Sequence, residues 1–232
     1  MDLSTGFGSP TLGLSHALHL RAGTAVALVP GLTFEGTIFY RRLWSLVTRN
    51  PNPSPPLGHQ FVQDGQGRVL GAEFIVRVDS RSIFSGWLSY TFSRSERRAS
   101  TSAAYRLFDY DQTHVLSAVA TVAYAGFSLG ARLRVASGMP RTPVTGMYNA
   151  MAGIEPIFGA QNSDRLPLFH ALDLRLAKTF HAKRLKITPY LEGINLTKHK
   201  NAEDYSYSAD FNQRNPVQGL PRTIVAGIAV AF

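Results

Sequence analysis

One short segment carries residue types that could do chemistry. In "DYDQTH", Asp109, Asp111 and His114 lie within six residues. Two carboxylates and an imidazole can bind zinc or calcium, or act as an acid–base pair in an enzyme. No further ligand accompanies them, and the segment lies where a loop meets a strand, a place where Asp side chains commonly hydrogen-bond to the backbone. We therefore expect a loop anchor here, with no metal, no cofactor and no enzymatic activity.

The remaining candidate residues do not converge on a site. His16 and His19 fall on opposite faces of one predicted strand. No phosphate-binding glycine loop, nucleophile elbow or zinc helix motif is present. The absence of cysteine excludes disulfides and thiolate metal sites. The net charge is +9, but Lys and Arg occur mostly singly between apolar residues, so we predict solvated charged faces and no nucleic-acid partner.

Charged side chains also recur at the centre of segments that alternate between apolar and polar residues. Such alternation indicates β-strands, and it continues from about residue 12 to the C-terminus, with almost no helical periodicity. The sequence therefore predicts an all-β, antiparallel up-and-down sheet of about 9–10 strands. Seven charged residues lie on the polar faces of these strands: Glu73, Arg77, Arg132, Arg134, Asp173, Arg175 and Glu192.

Short and long connections alternate between these strands. Tight turns are predicted at 30–31, 80–82, 125–126 and 181–183. Long polar stretches are predicted to form loops at 49–65, 97–111, 139–168 and 197–221. Pro189 falls within a strand and lacks a backbone donor, which predicts a local bulge.

Two architectures produce such alternation. A soluble sandwich buries the apolar face, whereas a membrane barrel turns it towards lipid and encloses the polar face in a wet lumen. Long strands, full charges at mid-strand and lopsided loops favour the barrel, whose lumen the seven charged residues would face. Aromatic residues near the short turns predict one interfacial girdle: Phe84, Tyr124, Phe127 and Phe180. Trp44, Tyr90 and Phe92 are candidates for the opposite girdle.

The C-terminus carries a further signal. Ile228, Val230 and Phe232 are alternate apolar residues that end on an aromatic side chain. This ending resembles the C-terminal strand signal that the barrel-insertion machinery of bacterial outer membranes reads. No run of about 18 apolar residues predicts a membrane-spanning helix. The N-terminus does not resemble a signal peptide, so we expect either a cytoplasmic protein or a natural start upstream of Met1.

Four segments together carry a family resemblance: "YRLFDYDQTHVLSAVATVAY", "LGARLRVASGMPRTPV", "NSDRLPLFHALDLRLAKTF" and "YLEGINLTKHKNAEDY". In order and spacing they resemble the C-terminal barrel portion of TonB-dependent outer-membrane receptors, although Lys198 replaces the usual last Asn of the fourth motif. The resemblance implies that residues 1–232 are one barrel segment, with 1–11 poorly defined. The segment lacks the plug domain and is incomplete relative to a barrel of about 22 strands.

The resemblance also implies function and partners. A complete receptor of this kind imports a scarce solute of the siderophore, vitamin or oligosaccharide class across the outer membrane of a Gram-negative bacterium. Its partners would be outer-membrane lipid and lipopolysaccharide, the barrel-insertion machinery, and the missing plug and N-terminal strands. The segment by itself would not transport. Two alternatives stay open: an independent small outer-membrane barrel with a structural, adhesive or enzymatic role, and a soluble basic β-protein that binds polyanions.

Overall fold

The computed structural model describes residues 12–56, 58–79, 83–151 and 153–232. This part of the chain is all-β, and no helix in it is long and apolar enough to cross a membrane. Its strands are β1 (His16–Val29), β2 (Leu32–Arg49), β3 (Phe61–Val78), β4 (Phe84–Arg98), β5 (Arg106–Leu107), β6 (His114–Tyr124), β7 (Phe127–Ala136), β8 (Pro140–Arg141), β9 (Val144–Ala150), β10 (Gly153–Phe158), β11 (Asp164–Arg165), β12 (Phe169–Lys178), β13 (Phe180–Ala182), β14 (Leu185–Ile194), β15 (Ala202–Tyr207), β16 (Arg214–Gln218) and β17 (Thr223–Ala231).

Nine strands form the body of one antiparallel sheet, in the order β1-β2-β3-β4-β6-β7-β12-β14-β17. Each of these strands pairs with the next one along the chain, apart from the short strands that the loops contain. This confirms the predicted up-and-down fold and strand number. Within the described residues β1 pairs only with β2 and β17 only with β14, so the sheet is not closed.

The packing of the sheet differs from that of a soluble sandwich. Apart from Pro140 and several glycines, only three apolar residues are buried in the described part of the chain: Ala136, Leu166 and Ala177. Large apolar side chains are instead exposed along one face, as Leu20, Ile38, Leu70 and Ile228 illustrate. A sandwich would bury that face against a second sheet. The apolar residues therefore have no core inside this chain, as expected for strands that face lipid.

Two tight turns lie where the sequence predicts them. At Pro30-Gly31 the φ of Gly31 is 84°, and a Cβ there would lie 2.9 Å from the Asp79 carbonyl oxygen. Ala125 and Gly126 both have positive φ, the geometry that matches the twist of a two-residue hairpin. The predicted turn at 80–82 lies outside the described residues.

The turn predicted at 181–183 is shifted. His181 pairs with Lys186 inside the β13–β14 hairpin, and the turn lies at 183–184. Lys183 has a φ of 56°, so this turn needs a residue in the left-handed region. Because the segment contains no glycine or asparagine, its residue types do not show where the turn lies.

The bulge predicted at Pro189 is wrong. The β14–β17 register is continuous through Pro189, which lies opposite Ile228. On the other side of β14, the ladder to β12 ends at Tyr190 and the ladder to β13 begins at Ile187 in the same register. Because proline has no N–H to donate, the ladder has a gap there instead of an extra residue.

The regions predicted as loops contain more strand than expected. β3 already begins at Phe61 and β4 continues to Arg98, and short strands pair within the long loops as β4–β5, β8–β11, β9–β10 and β15–β16. These strands are only two to seven residues long and show no sustained alternation of apolar and polar residues, which is the pattern that marks the long strands. At the tip of β15–β16, hydrogen bonds from Ser208 and Asn212 lower the pKa of the Asp210 carboxyl from its ordinary value.

Candidate functional site: the charged face and the loop end

The seven charged residues predicted to face a lumen share one face of the sheet. The strand register brings four of them together, because Asp173 lies opposite Arg132 and Glu192 lies opposite Arg175. They line a cavity of about 380 Å³ between β7, β12 and β14, which Leu220 borders from the last long loop. We name these four residues and this surface the ion-pair wall.

The contacts inside the ion-pair wall are unequal. Arg132 Nε lies 3.1 Å from Asp173 Oδ2, and Asp173 Oδ1 accepts a hydrogen bond from the Asn195 backbone N–H at 2.9 Å. Arg175 Nη1 lies 4.0 Å from Glu192 Oε2, while its guanidinium carbon lies 4.0 Å from the centre of the Tyr190 ring. Asp173 therefore connects two strands and the start of a loop, whereas Glu192 makes only a long ion pair.

This difference gives a prediction for the wall. Asp173→Ala should destabilise the folded protein by about 1–2 kcal/mol, because it leaves the Asn195 N–H without an acceptor and Arg132 without a partner. Glu192→Gln is the matched control and should cost less than about 0.5 kcal/mol. The measurement is urea unfolding in detergent, followed by tryptophan fluorescence. Equal midpoints for the two variants would contradict the bracing role of Asp173.

The other three charged residues are not part of the ion-pair wall. Glu73 borders a second cavity of about 350 Å³ with His19, Arg21 and Arg41. Neither Glu73 nor Arg77 has an ion-pair partner among the described residues. Arg134 donates to Gln112 Oε1 at 3.3 Å, which ties β7 to the loop before β6.

The residues of "DYDQTH" are separated by the fold. The Asp111 carboxylate is fully buried and accepts hydrogen bonds from the Ser95 N–H at 2.7 Å, the Thr113 hydroxyl at 2.6 Å and Arg165 Nη2 at 2.7 Å. Asp109 instead accepts from the Asn162 amide at 2.6 Å.

His114 Nδ1 lies 2.8 Å from the Tyr90 hydroxyl, away from both carboxylates. No group of three metal-binding side chains occurs among the described residues. The hydrogen bonds to the Asp111 carboxylate confirm the loop-anchor prediction for that residue. Its partner Arg165, which also donates to the Gly138 carbonyl at 2.8 Å, was not predicted.

Sequence reasoning also missed a cavity at the loop end. A space of about 450 Å³ is bordered by four arginines and one aspartate: Arg49, Arg97, Arg98, Arg106 and Asp109. Arg97 stacks 4.4 Å over Phe108, and Asp109 is held by Asn162. The side chains of Arg49 and Arg106 have no ion-pair or hydrogen-bond partner in the described part of the chain. These residues come from separate segments, so no local motif marks the cavity.

The predicted girdle residues lie near the short turns on the face opposite the ion-pair wall. Tyr124 pairs with Phe127 across the hairpin, and Lys178 Nζ lies 3.8 Å from the Phe127 ring centre and 5.9 Å from that of Phe180. Phe84 pairs with Val122 on the same face. Ile228 and Val230 are exposed on that face of β17, and Phe232 follows the strand.

Comparison with known proteins shows the same architecture in larger molecules. No family model and no curated protein matches the sequence. The chain is similar to the ferric-catecholate import receptor Fiu from Escherichia coli K12 (18% identity, TM-score 0.61), covering 93% of this chain and 27% of that one. It is similar to the outer membrane transporter YddB from Escherichia coli (12% identity, TM-score 0.68), covering 94% of this chain and 33% of that one. It is also similar to the ferripyoverdine receptor of the outer membrane of Pseudomonas aeruginosa (12% identity, TM-score 0.64), covering 92% of this chain and 27% of that one.

These matches define the class of fold: an open antiparallel sheet with the strand arrangement of an outer-membrane β-barrel. More particularly, the fold is similar to that of TonB-dependent receptor barrels, in agreement with the fold that the sequence resemblance predicts. The chain spans between about a quarter and a third of the length of these structures. The matched structures are receptors and transporters, in agreement with the predicted outer-membrane location.

Proposed function

We propose that this chain is the C-terminal barrel wall of a TonB-dependent outer-membrane receptor that takes up a scarce solute. The observation that carries the proposal is the distribution of side chains on the open sheet. One face is apolar and exposed, and the other carries the ion-pair wall. Such a sheet is stable where lipid lies on one side and an aqueous lumen on the other.

The two open edges support the view that further strands complete the barrel. Unpaired backbone groups at the edges of β1 and β17 would be very costly in lipid, where no water can satisfy them. Additional strands, from the same or a separate polypeptide, would pair with both edges. A plug inside that barrel would couple transport to inner-membrane energy, so the segment by itself is not transport-competent. Ile228, Val230 and Phe232 would be read by the insertion machinery.

The loop-end cavity favours an anionic solute among the siderophore, vitamin and oligosaccharide classes. Its four arginines face a single aspartate, and guanidinium groups bind carboxylates and other oxyanions through charge-assisted hydrogen bonds. Similar structures include a ferric-catecholate import receptor and a ferric citrate transporter. A ferric chelate is therefore the solute we propose, in a binding and uptake role without enzymatic activity.

The cavity gives a prediction for solute binding. The double variant Arg49→Gln/Arg106→Gln should bind an anionic ferric chelate about tenfold more weakly, because it removes two unpaired cations from the cavity. The control is Lys198→Gln/Lys200→Gln, which removes the same charge from exposed positions at the same end. The measurement is fluorescence titration of the native protein with the chelate. Equal affinity in the two variants would contradict a solute site at this cavity.

The first experiment on the proposed function is the intact mass of the native polypeptide in the outer-membrane fraction. A mass several-fold above 25.4 kDa would support a receptor that continues beyond these residues. A mass near 25.4 kDa in that fraction would contradict one continuous receptor chain and favour a small barrel, or one completed by a second polypeptide. Absence from the membrane would contradict the proposal altogether.

A further inference from the structure

Three arginines interrupt the apolar face of the sheet near its loop end. The register places Arg42 opposite Arg68 on neighbouring strands. Arg94 lies opposite Leu70, two residues along β3 from Arg68. All three lie on the same face as the exposed Ile38 and Leu70, opposite the ion-pair wall. We name Arg42, Arg68 and Arg94 the outward arginines. We propose that the outward arginines bind the phosphate groups of a phosphorylated lipid in the outer leaflet of the membrane.

The charge of this cluster is incompletely compensated inside the protein. Glu96 Oε2 lies 2.6 Å from Arg68, and Glu96 Oε1 lies 2.9 Å from Arg94. Arg42 has no ion-pair or hydrogen-bond partner in the described part of the chain. Three cations thus share one carboxylate, which leaves a net charge of about +2.

The guanidinium groups also remain accessible to a ligand. The Arg68 side chain is 49% exposed and that of Arg94 is 60% exposed, whereas Glu96 is only 10% exposed. Each guanidinium has five N–H donors, and Glu96 occupies few of them. The buried carboxylate orients two arginines and leaves their outer donors free, which is the arrangement that captures a phosphate with several charge-assisted hydrogen bonds.

The aromatic neighbours indicate the depth of the cluster in the membrane. The guanidinium carbon of Arg68 lies 4.2 Å from the centre of the Tyr105 ring. Trp44 lies on the same face as Arg42 and stacks on His16, with ring centres 5.5 Å apart. Trp and Tyr concentrate where the hydrocarbon ends and the headgroups begin. The outward arginines are therefore at headgroup level, where an anionic lipid phosphate is the complementary charge.

This inference rests on the proposed function for its orientation, with the long loops outside the cell. The test uses the native polypeptide purified from outer membranes in mild detergent. Arg42→Gln/Arg94→Gln removes two cations and leaves the Arg68–Glu96 pair intact. Lys183→Gln/Arg184→Gln removes the same charge at the turn between β13 and β14 and serves as the control. Native mass spectrometry then counts the phosphorylated lipids retained on each protein.

We expect the parent and the control to retain phosphorylated lipid and the double variant to retain about tenfold less. In reconstituted vesicles, the parent should bind the phosphorylated lipid and lose that preference when the same lipid is dephosphorylated. Inorganic phosphate should not compete at millimolar concentration, since it lacks the acyl chains that hold the headgroup at this depth. Arg42→Lys/Arg94→Lys should restore most of the retention.

Several results would overturn the inference. Equal lipid retention in the double variant and the control is one, and binding that ignores dephosphorylation is another. Competition by inorganic phosphate alone would mean a simple anion site. If the double variant does not fold, the single variant Arg42→Gln tests the inference, because Arg42 has no partner among the described residues. Arg42→Gln should lower lipid retention about threefold. Absence of the chain from the membrane would refute both the proposed function and this inference, whereas the results above would refute this inference alone. The two failures can therefore be told apart.

Discussion

Replacing Arg165 with methionine should destabilise the protein by about 3–5 kcal/mol, because it leaves the Asp111 carboxylate buried and unpaired. Asp111 is 2% exposed, and Arg165 is its only cationic partner among the described residues, at 2.7 Å. The same arginine donates to the backbone of Gly138 and to the Thr113 hydroxyl. Its loss should therefore release both the loop before β6 and the loop before β12.

Urea unfolding in detergent measures the stability, and limited trypsin digestion measures the order of the two loops. The control is Arg214→Met, since Arg214 and Asp164 form an exposed pair at 3.4 Å that should be worth less than about 1 kcal/mol. The double variant Asp111→Asn/Arg165→Met should recover part of the loss, because no buried charge remains. An effect of Arg165→Met no larger than that of Arg214→Met would refute the anchor.

Arginine in place of Ile38 should destabilise the membrane-folded state by about 2–4 kcal/mol. Ile38 is 63% exposed on the apolar face. Between Leu32 at the turn and Ile38, a tilted strand rises about 15 Å, which places Ile38 near the middle of the hydrocarbon. A guanidinium there must be carried into lipid or pull headgroups and water down to it.

The neighbouring position gives the control for this substitution. Thr37 lies on the opposite face and opposite Glu73, so Thr37→Arg can pair with that carboxylate and should change stability by less than about 1 kcal/mol. Folding of both variants into phospholipid vesicles is followed by urea titration and by the gel mobility of the folded barrel. If Thr37→Arg is the more damaging variant, the assignment of the lipid and lumen faces is reversed.

Much of the fold could be predicted because a barrel wall lies between two solvents. Each strand must alternate between lipid-facing and lumen-facing residues, so the segments around Ile38, Asp173 and Ile228 show their two faces locally. The turn at Ala125-Gly126 can be predicted in the same way, because Gly126 has the positive φ that glycine adopts without a steric cost. The shifted turn at 183–184 shows the limit of this approach, because nothing in its residue types marks the reversal.

The amino-acid pattern alone therefore specifies the all-β fold, the number of long strands and the face on which each side chain lies. Which residues contact one another across strands and loops becomes visible in the folded chain. Asp111 and Arg165 are 54 residues apart, the loop-end arginines come from three segments, and the outward arginines join through strand register. The physical reason is that alternation follows from the solvent beside each strand, whereas pairing across strands and loops depends on register and loop path, which no short segment encodes.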